Sequence, residues 1–255
     1  MSIWGKVAGA AAGLAAGGPI GALLGGVAGH YVIDRDSSNE ALPENQVAFT
    51  VGVIALGAKM AKADGIVTRD EVTAFKEVFK VPEGEMRNLS RIFDLAKQDV
   101  VGYEAYAEQL ASMLKGNRKL LDDVLEGLFH IAKADGVFDP REEQFLAEVA
   151  KRFGFTDAEF SYIKARHVTA AKRSPYDVLG VNASIGKDEL KSHYRRLVVE
   201  NHPDKLMARG VPKEFVAIAT EKLAAINEAY AQITNDPENV AEQFRAAWQR
   251  NTGAN

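Results

Sequence analysis

The distribution of apolar and charged positions divides the chain into three stretches. Residues 7–29 contain no charged side chain at all. A length of this kind meets the requirement of about 20 predominantly apolar residues for a membrane-spanning helix. From residue 46 to residue 172 apolar positions recur three and four apart, which predicts amphipathic helices over 47–63, 84–97, 103–114, 120–134 and 157–171. Phe129, Phe145, Leu146, Val149 and Phe153 fall on such a spacing and are the expected core. Beyond residue 173, Leu190, Tyr194, Leu197 and Val198 mark one helical face over 186–201, and Leu223, Ile226, Tyr230 and Ile233 mark another. The expected fold class is all-α. It comprises a glycine-rich membrane segment (1–33), a polar linker (34–45), a helical bundle (46–172), a C-terminal helical hairpin (173–236) and a tail (237–255). In the tail a short helix over 240–250 would gather Phe244, Ala247 and Trp248 on one side.

The first stretch has a second regularity. Gly5, Gly9, Gly13, Gly17, Gly21, Gly25 and Gly29 occupy every fourth position without a break. In water each glycine costs a helix about 1 kcal/mol relative to alanine. In a bilayer the same spacing opens a groove along which another helix backbone can approach, so membrane-helix packing and a homodimer are expected from this face. Strongly apolar residues are sparse here, and Gly17-Gly18-Pro19 is able to break the segment into two short helices. A single span, a hairpin or peripheral arrangement, and a glycine-rich segment packed on protein are the three alternatives. Lys6 on one side and Arg35 between Asp34 and Asp36 on the other leave the flanking charge nearly balanced, so orientation does not follow from it.

The bundle region repeats itself. Met60-Ala61-Lys62-Ala63-Asp64-Gly65-Ile66-Val67-Thr68-Arg69-Asp70-Glu71 returns as Ile131-Ala132-Lys133-Ala134-Asp135-Gly136-Val137-Phe138-Asp139-Pro140-Arg141-Glu142. In each copy a glycine ends a helix, and Thr68 or Asp139 caps the next. Glu71 or Glu142 three residues on completes a capping box, and Pro140 takes the favoured first helical position. The duplication predicts a pseudosymmetric bundle.

The C-terminal hairpin carries the most specific chemistry. His202, Pro203 and Asp204 lie between its two helices. Proline has no N–H to donate and disfavours the α region for the residue before it, so a turn displaying an imidazole and a carboxylate is expected. Upstream stand Ser174-Pro175-Tyr176-Asp177-Val178-Leu179-Gly180-Val181, and downstream the second helix of the hairpin. This order resembles the J domain of DnaJ-type (Hsp40) co-chaperones over residues 175–236. The resemblance implies an Hsp70 (DnaK-type) partner whose ATP hydrolysis is stimulated through His202, Pro203 and Asp204. Lys187, Lys191 and Arg195 recur at i, i+4 and i+8; with Arg196 and Lys205 they are the expected Hsp70-docking residues, because a basic stripe suits an acidic surface. The stretch after Asp204, residues 206–213, is longer than the shortest J-domain loops and is similar to the form in membrane-anchored DnaJ-like proteins. The duplicated bundle is similar to a TerB (tellurite-resistance-type) domain, which occupies the middle position in those proteins. The bacterial inner membrane, with the bundle and J domain in the cytoplasm, is the location this resemblance implies.

Composition removes several alternatives. With no cysteine, no His-Glu-x-x-His and no phosphate-loop Lys-Ser/Thr, neither a thiol nucleophile nor the common hydrolase motifs are present, and no enzymatic activity or cofactor is expected. His130 and His167 read as packed or surface residues. A net charge of -4 and a pI near 5.8 disfavour nucleic acid as a partner. The acidic excess resides in the bundle, which reads as an interaction module for an unidentified client. The resemblance to TerB raises a metal reading for Asp64, Glu71, Asp135 and Glu142, but their spacing is not that of a calcium loop and capping accounts for them, so no metal is expected. The rival reading is a membrane-associated scaffold or ion-responsive stress module in which the J domain serves only for recruitment.

Overall fold

The computed structural model describes residues 17–28, 44–64, 73, 86–98, 102–133, 138–167, 174–212 and 215–235, and every regular element among them is helical. Helix α1 (Gly18–Ala28) is followed by α2 (Glu44–Asp64), α3 (Met86–Gln98), α4 (Tyr103–Met113), α5 (Arg118–Ala132), α6 (Pro140–Arg152) and α7 (Asp157–His167). The C-terminal part contains α8 (Pro175–Leu179), α9 (Lys187–Glu200), α10 (Pro203–Ala208) and α11 (Val216–Thr234).

Helix α2 is the axis of the bundle. Every residue from Val47 to Ala61 is buried, as expected of a helix that is apolar on all sides and surrounded by others. It packs against α1, α3, α4, α5 and α6. Gly52 permits the approach of α4: a Cβ there would lie 2.4 Å from Leu110 Cδ2. Lys59, the basic residue within this stretch, sits with its ammonium 5.1 Å from the centre of the Tyr106 ring, where the π face replaces part of its lost hydration.

Helix α6 starts as its sequence dictates. Asp139 is its N-cap, its side chain accepting from the Arg141 N–H at 2.7 Å, while the Glu142 carboxylate accepts the Asp139 N–H at 3.1 Å and Pro140 takes the first helical position. The corresponding turn of the first repeat, residues 65–72, lies outside the described residues, as do Gly136 and the tail helix expected over 240–250. Phe129, Phe145, Leu146, Val149 and Phe153 all enter the core.

Of the segment expected to span a membrane, residues 17–28 are described. Gly18 adopts φ +82°, α1 begins there with Pro19 in its first turn, and Ile20 and Leu23 are buried in the bundle core. Gln109 of α4 caps this start: its Oε1 accepts the Ile20 N–H at 2.8 Å and its Nε2 donates to the Gly17 carbonyl at 2.5 Å. Eleven residues extend only about 16 Å against a hydrocarbon core of about 30 Å. Among the described residues no helix is long and apolar enough to cross a membrane. Gly17 is exposed, Gly21 is half-buried and Gly25 lies in α1, whereas Gly5, Gly9, Gly13 and Gly29 lie outside the described residues.

The C-terminal hairpin is built on a second core, which Ala165 of α7 also joins. Val178, Leu179, Leu190, Tyr194, Val198, Ile226, Ala229 and Tyr230 are buried together, with Leu197 packed at the edge. Its far end belongs to the bundle. Leu206, Val211, Phe215 and Ala219 join the larger core, where Phe215 meets Phe49 of α2 edge-on at 4.7 Å.

Candidate functional site

The His-Pro-Asp turn is built as a helix start. His202 has extended backbone angles (φ -63°, ψ 137°) and is the N-cap of α10, with Pro203 in the first turn. Its Nδ1 accepts the Asp204 N–H at 3.1 Å, and its carbonyl accepts the Leu206 N–H at 3.0 Å. The expectation that the turn displays its imidazole is therefore corrected: the His202 side chain is 3 % exposed, turned inward by its capping role, while the Asp204 side chain is 65 % exposed. Pro203 is half-buried. Asp204 Oδ2 lies 3.7 Å from His202 Nδ1.

Along α9, Lys187 and Arg196 are exposed and Lys191 and Arg195 are half-buried, and Lys205 is exposed in α10. Arg196 Nη2 approaches His193 Nδ1 at 2.7 Å, and His193 Nε2 in turn meets the Leu179 carbonyl at 2.8 Å. The expected basic stripe thus runs along α9, the helix that leads into the turn.

The stretch after the turn is ordered. α10 closes with Gly210 at φ +104°, a left-handed position that suits glycine, and with Gly210 N–H to Met207 O (3.1 Å) and Val211 N–H to Leu206 O (3.0 Å). This double bond pattern turns Leu206 and Val211 to the same side, into the bundle core.

Helix α5 forms the wall between bundle and hairpin, and it carries the polar cluster that sequence reasoning did not pick out. Glu126, 3 % exposed, receives Arg166 Nε at 2.7 Å, Lys222 Nζ at 3.1 Å and His167 Nε2 at 2.6 Å. Asp122 accepts Lys222 Nζ at 2.6 Å and Arg166 Nη2 at 3.2 Å. Burial pushes both carboxyls up, but the surrounding cations outweigh it: Lys222 and Arg166 hold Asp122 below its ordinary value, and Arg166, Lys222 and His167 hold Glu126 well below. Burial lowers His167 below the usual imidazole range against the pull of Glu126. For Asp123 burial prevails over Lys222 and Arg209, and its carboxyl is pushed up to about 6. The available signal was the series Leu121-Asp122-Asp123-Val124-Leu125-Glu126, three acids among apolar residues in the middle of a helix most of whose residues are buried. Three acids there require cations from a second element, and Lys222 and Arg166 supply them.

The metal candidates do not converge among the described residues. Glu142 is engaged in its capping box, Asp64 ends α2, and Glu71 and Asp135 lie outside the described set. No group of three or more His, Asp or Glu side chains among the described residues is arranged to hold a metal ion.

A helical hairpin with a packed core and His-Pro-Asp at its tip defines a J-domain protein. Comparison with protein families agrees: the DnaJ domain matches residues 174–242, the tellurite resistance protein TerB matches 50–165, and the co-chaperone DjlA transmembrane domain matches 1–44. Among curated relatives, the co-chaperone protein DjlA of Coxiella burnetii is 31% identical over 194 residues, covering 68% of this chain and 72% of the relative. That of Vibrio cholerae is 29% identical, covering 76% and 79%, and that of Salmonella paratyphi A is 27% identical, covering 91% and 97%. The chain belongs to the DjlA family of co-chaperones. No solved structure matches it significantly.

Proposed function

We propose that the chain stimulates ATP hydrolysis by a DnaK-type Hsp70 from the inner face of a bacterial inner membrane, with the TerB-like bundle and the J domain in the cytoplasm. The observation that carries this reading is the turn itself, with Asp204 exposed at the end of a helix bearing Lys187, Lys191, Arg195 and Arg196, and Lys205 beside it. Stimulation through docking requires no active site in this chain; the bond broken is in the ATP held by the partner. A basic helix accelerates encounter with an acidic Hsp70 surface, and a fixed carboxylate then has one geometry in which to act. Membrane attachment is supported by the match of residues 1–44 to the DjlA transmembrane domain. The glycine repeat supports a homodimer within that segment, which replacement of Gly13, Gly17 and Gly21 by leucine would abolish in a membrane crosslinking assay.

The test is single-turnover ATP hydrolysis by the host's Hsp70 with the full chain added, as wild type or His202→Gln. Glutamine cannot reproduce the rigid cap that the imidazole provides. Stimulation by wild type and its loss in the variant is the expected result. A folded wild-type chain that stimulates none of the host's Hsp70s would transfer the function to the TerB-like bundle.

A further inference from the structure

We infer that Asp123 of the TerB-like bundle and Arg209 of the J domain are positioning residues for the His202-Pro203-Asp204 turn, so that bundle and J domain act on an Hsp70 as one unit. The inference rests on the co-chaperone reading above and adds to it a role for the bundle.

Arg209 ties three pieces of backbone and side chain together. Its Nε and Nη2 meet the two carboxylate oxygens of Asp123 at 2.8 and 3.0 Å, a bidentate pair with Asp123 8 % and Arg209 16 % exposed. Its Nη1 donates to the Glu200 carbonyl at 2.9 Å, two residues before His202. Its own carbonyl accepts Nδ2 of Asn117, the N-cap of α5, at 3.0 Å. One side chain therefore joins the end of α9, the end of α10 and helix α5, and the turn lies between the two ends so joined. Lys119, one turn before Asp123, adds a pair with Glu200 at 2.5 Å.

The orientation of α10 decides between holding and hiding. Leu206, Arg209 and Val211 face the bundle, whereas Asp204, Lys205 and Met207 are exposed. The bundle grips the back of the segment and leaves the carboxylate and the basic residues open. A planar guanidinium held by two parallel bonds fixes direction as well as distance, and a displacement of about 1 Å at a reacting geometry can cost on the order of a hundredfold in rate.

The full chain is assayed in single-turnover hydrolysis by the host's Hsp70 as wild type, Asp123→Asn, Arg209→Lys and the reversed pair Asp123→Arg with Arg209→Asp, with His202→Gln as reference. Amide hydrogen exchange over residues 200–212 is followed on the same samples. Asp123→Asn and Arg209→Lys are expected to lower maximal stimulation by about tenfold with a smaller change in half-saturating concentration, since α9 still docks, and to speed exchange in the turn. The reversed pair should recover both readouts at least in part, which a general loss of stability would not do. Should Asp123→Asn fail to fold, Arg209→Lys, which keeps the charge, carries the same comparison. Wild-type levels of stimulation in the folded variants, or increased stimulation, would overturn the inference, as would reduced stimulation with unchanged exchange. A wild type that fails to stimulate overturns instead the co-chaperone reading on which the inference stands.

Discussion

Tyr194 of α9 and Tyr230 of α11 stack face to face, their ring centres 4.0 Å apart and their planes within 11°. The Tyr194 hydroxyl donates to Asn227 Oδ1 at 2.8 Å, and its burial raises its pKa above the ordinary phenol value, so it remains a donor at all physiological pH. The pair ties the two arms of the hairpin. Tyr194→Phe removes one buried hydrogen bond and should cost about 1 kcal/mol, whereas Tyr194→Ala should cost about 3–5 kcal/mol by opening a cavity. Denaturant unfolding of the two variants measures both; equal losses would show that the hydroxyl, not the ring, dominates.

The contact between bundle and hairpin makes a prediction of the opposite kind. Lys222 is 6 % exposed by its side chain and pairs with Asp122 and Glu126. Its removal leaves the half-buried Asp122 with Arg166 alone and the buried Glu126 with Arg166 and His167. Lys222→Ala should therefore cost about 3–5 kcal/mol, more than any exposed pair such as Arg118 with Glu159. If Lys222→Ala and Arg118→Ala unfold at the same denaturant concentration, the cluster does not hold the two parts together.

Helix positions and the apolar core of each part were legible because their spacing depends on local physics alone. The expected helices over 103–114 and 157–171 are found as Tyr103–Met113 and Asp157–His167, and the Asp139-Pro140-Glu142 start is realised atom for atom. What spacing cannot report is which polar residue of one element meets which of another. Asp123 and Arg209 are 86 residues apart, and only the packed hairpin brings them together. The inward His202 escaped for a related reason: proline predicts a turn, but the side on which the imidazole caps the following helix is set by the Leu206 and Val211 contacts with the bundle.

The acid pH dependence should separate two kinds of carboxyl in one helix. Asp123, raised by burial to about 6 from 3.8, holds a proton in the folded state at pH values where the unfolded chain has released it. The folded state then binds more protons, so this group adds stability as pH falls from about 6 towards 3.8. Glu126 lies well below 4.5, where the cations win over burial, so its contribution is present above that value and is lost as pH falls through the lowered one. In thermal unfolding between pH 8 and 4, wild type should gain on Asp123→Asn as the pH drops through 6. Against Glu126→Gln it should lose its advantage only below about 4.5. A flat difference for Asp123→Asn would mean that Arg209 keeps the carboxylate ionised throughout.

The docked start of α1 can be tested without a membrane. Ile20 is fully buried, and Gln109 satisfies both the Ile20 N–H and the Gly17 carbonyl. Ile20→Ala should destabilise the bundle by about 2–5 kcal/mol through the cavity it leaves, and Gln109→Ala by about 1 kcal/mol through the lost cap. A freely exposed membrane segment would give no change in either case, because neither side chain would have a partner to lose. Limited proteolysis between residues 17 and 28 supplies the second readout. Both variants should be cut faster there, Ile20→Ala more so, and a helix that is cut at the wild-type rate in both would show that its contact with α4 contributes nothing to holding it on the bundle.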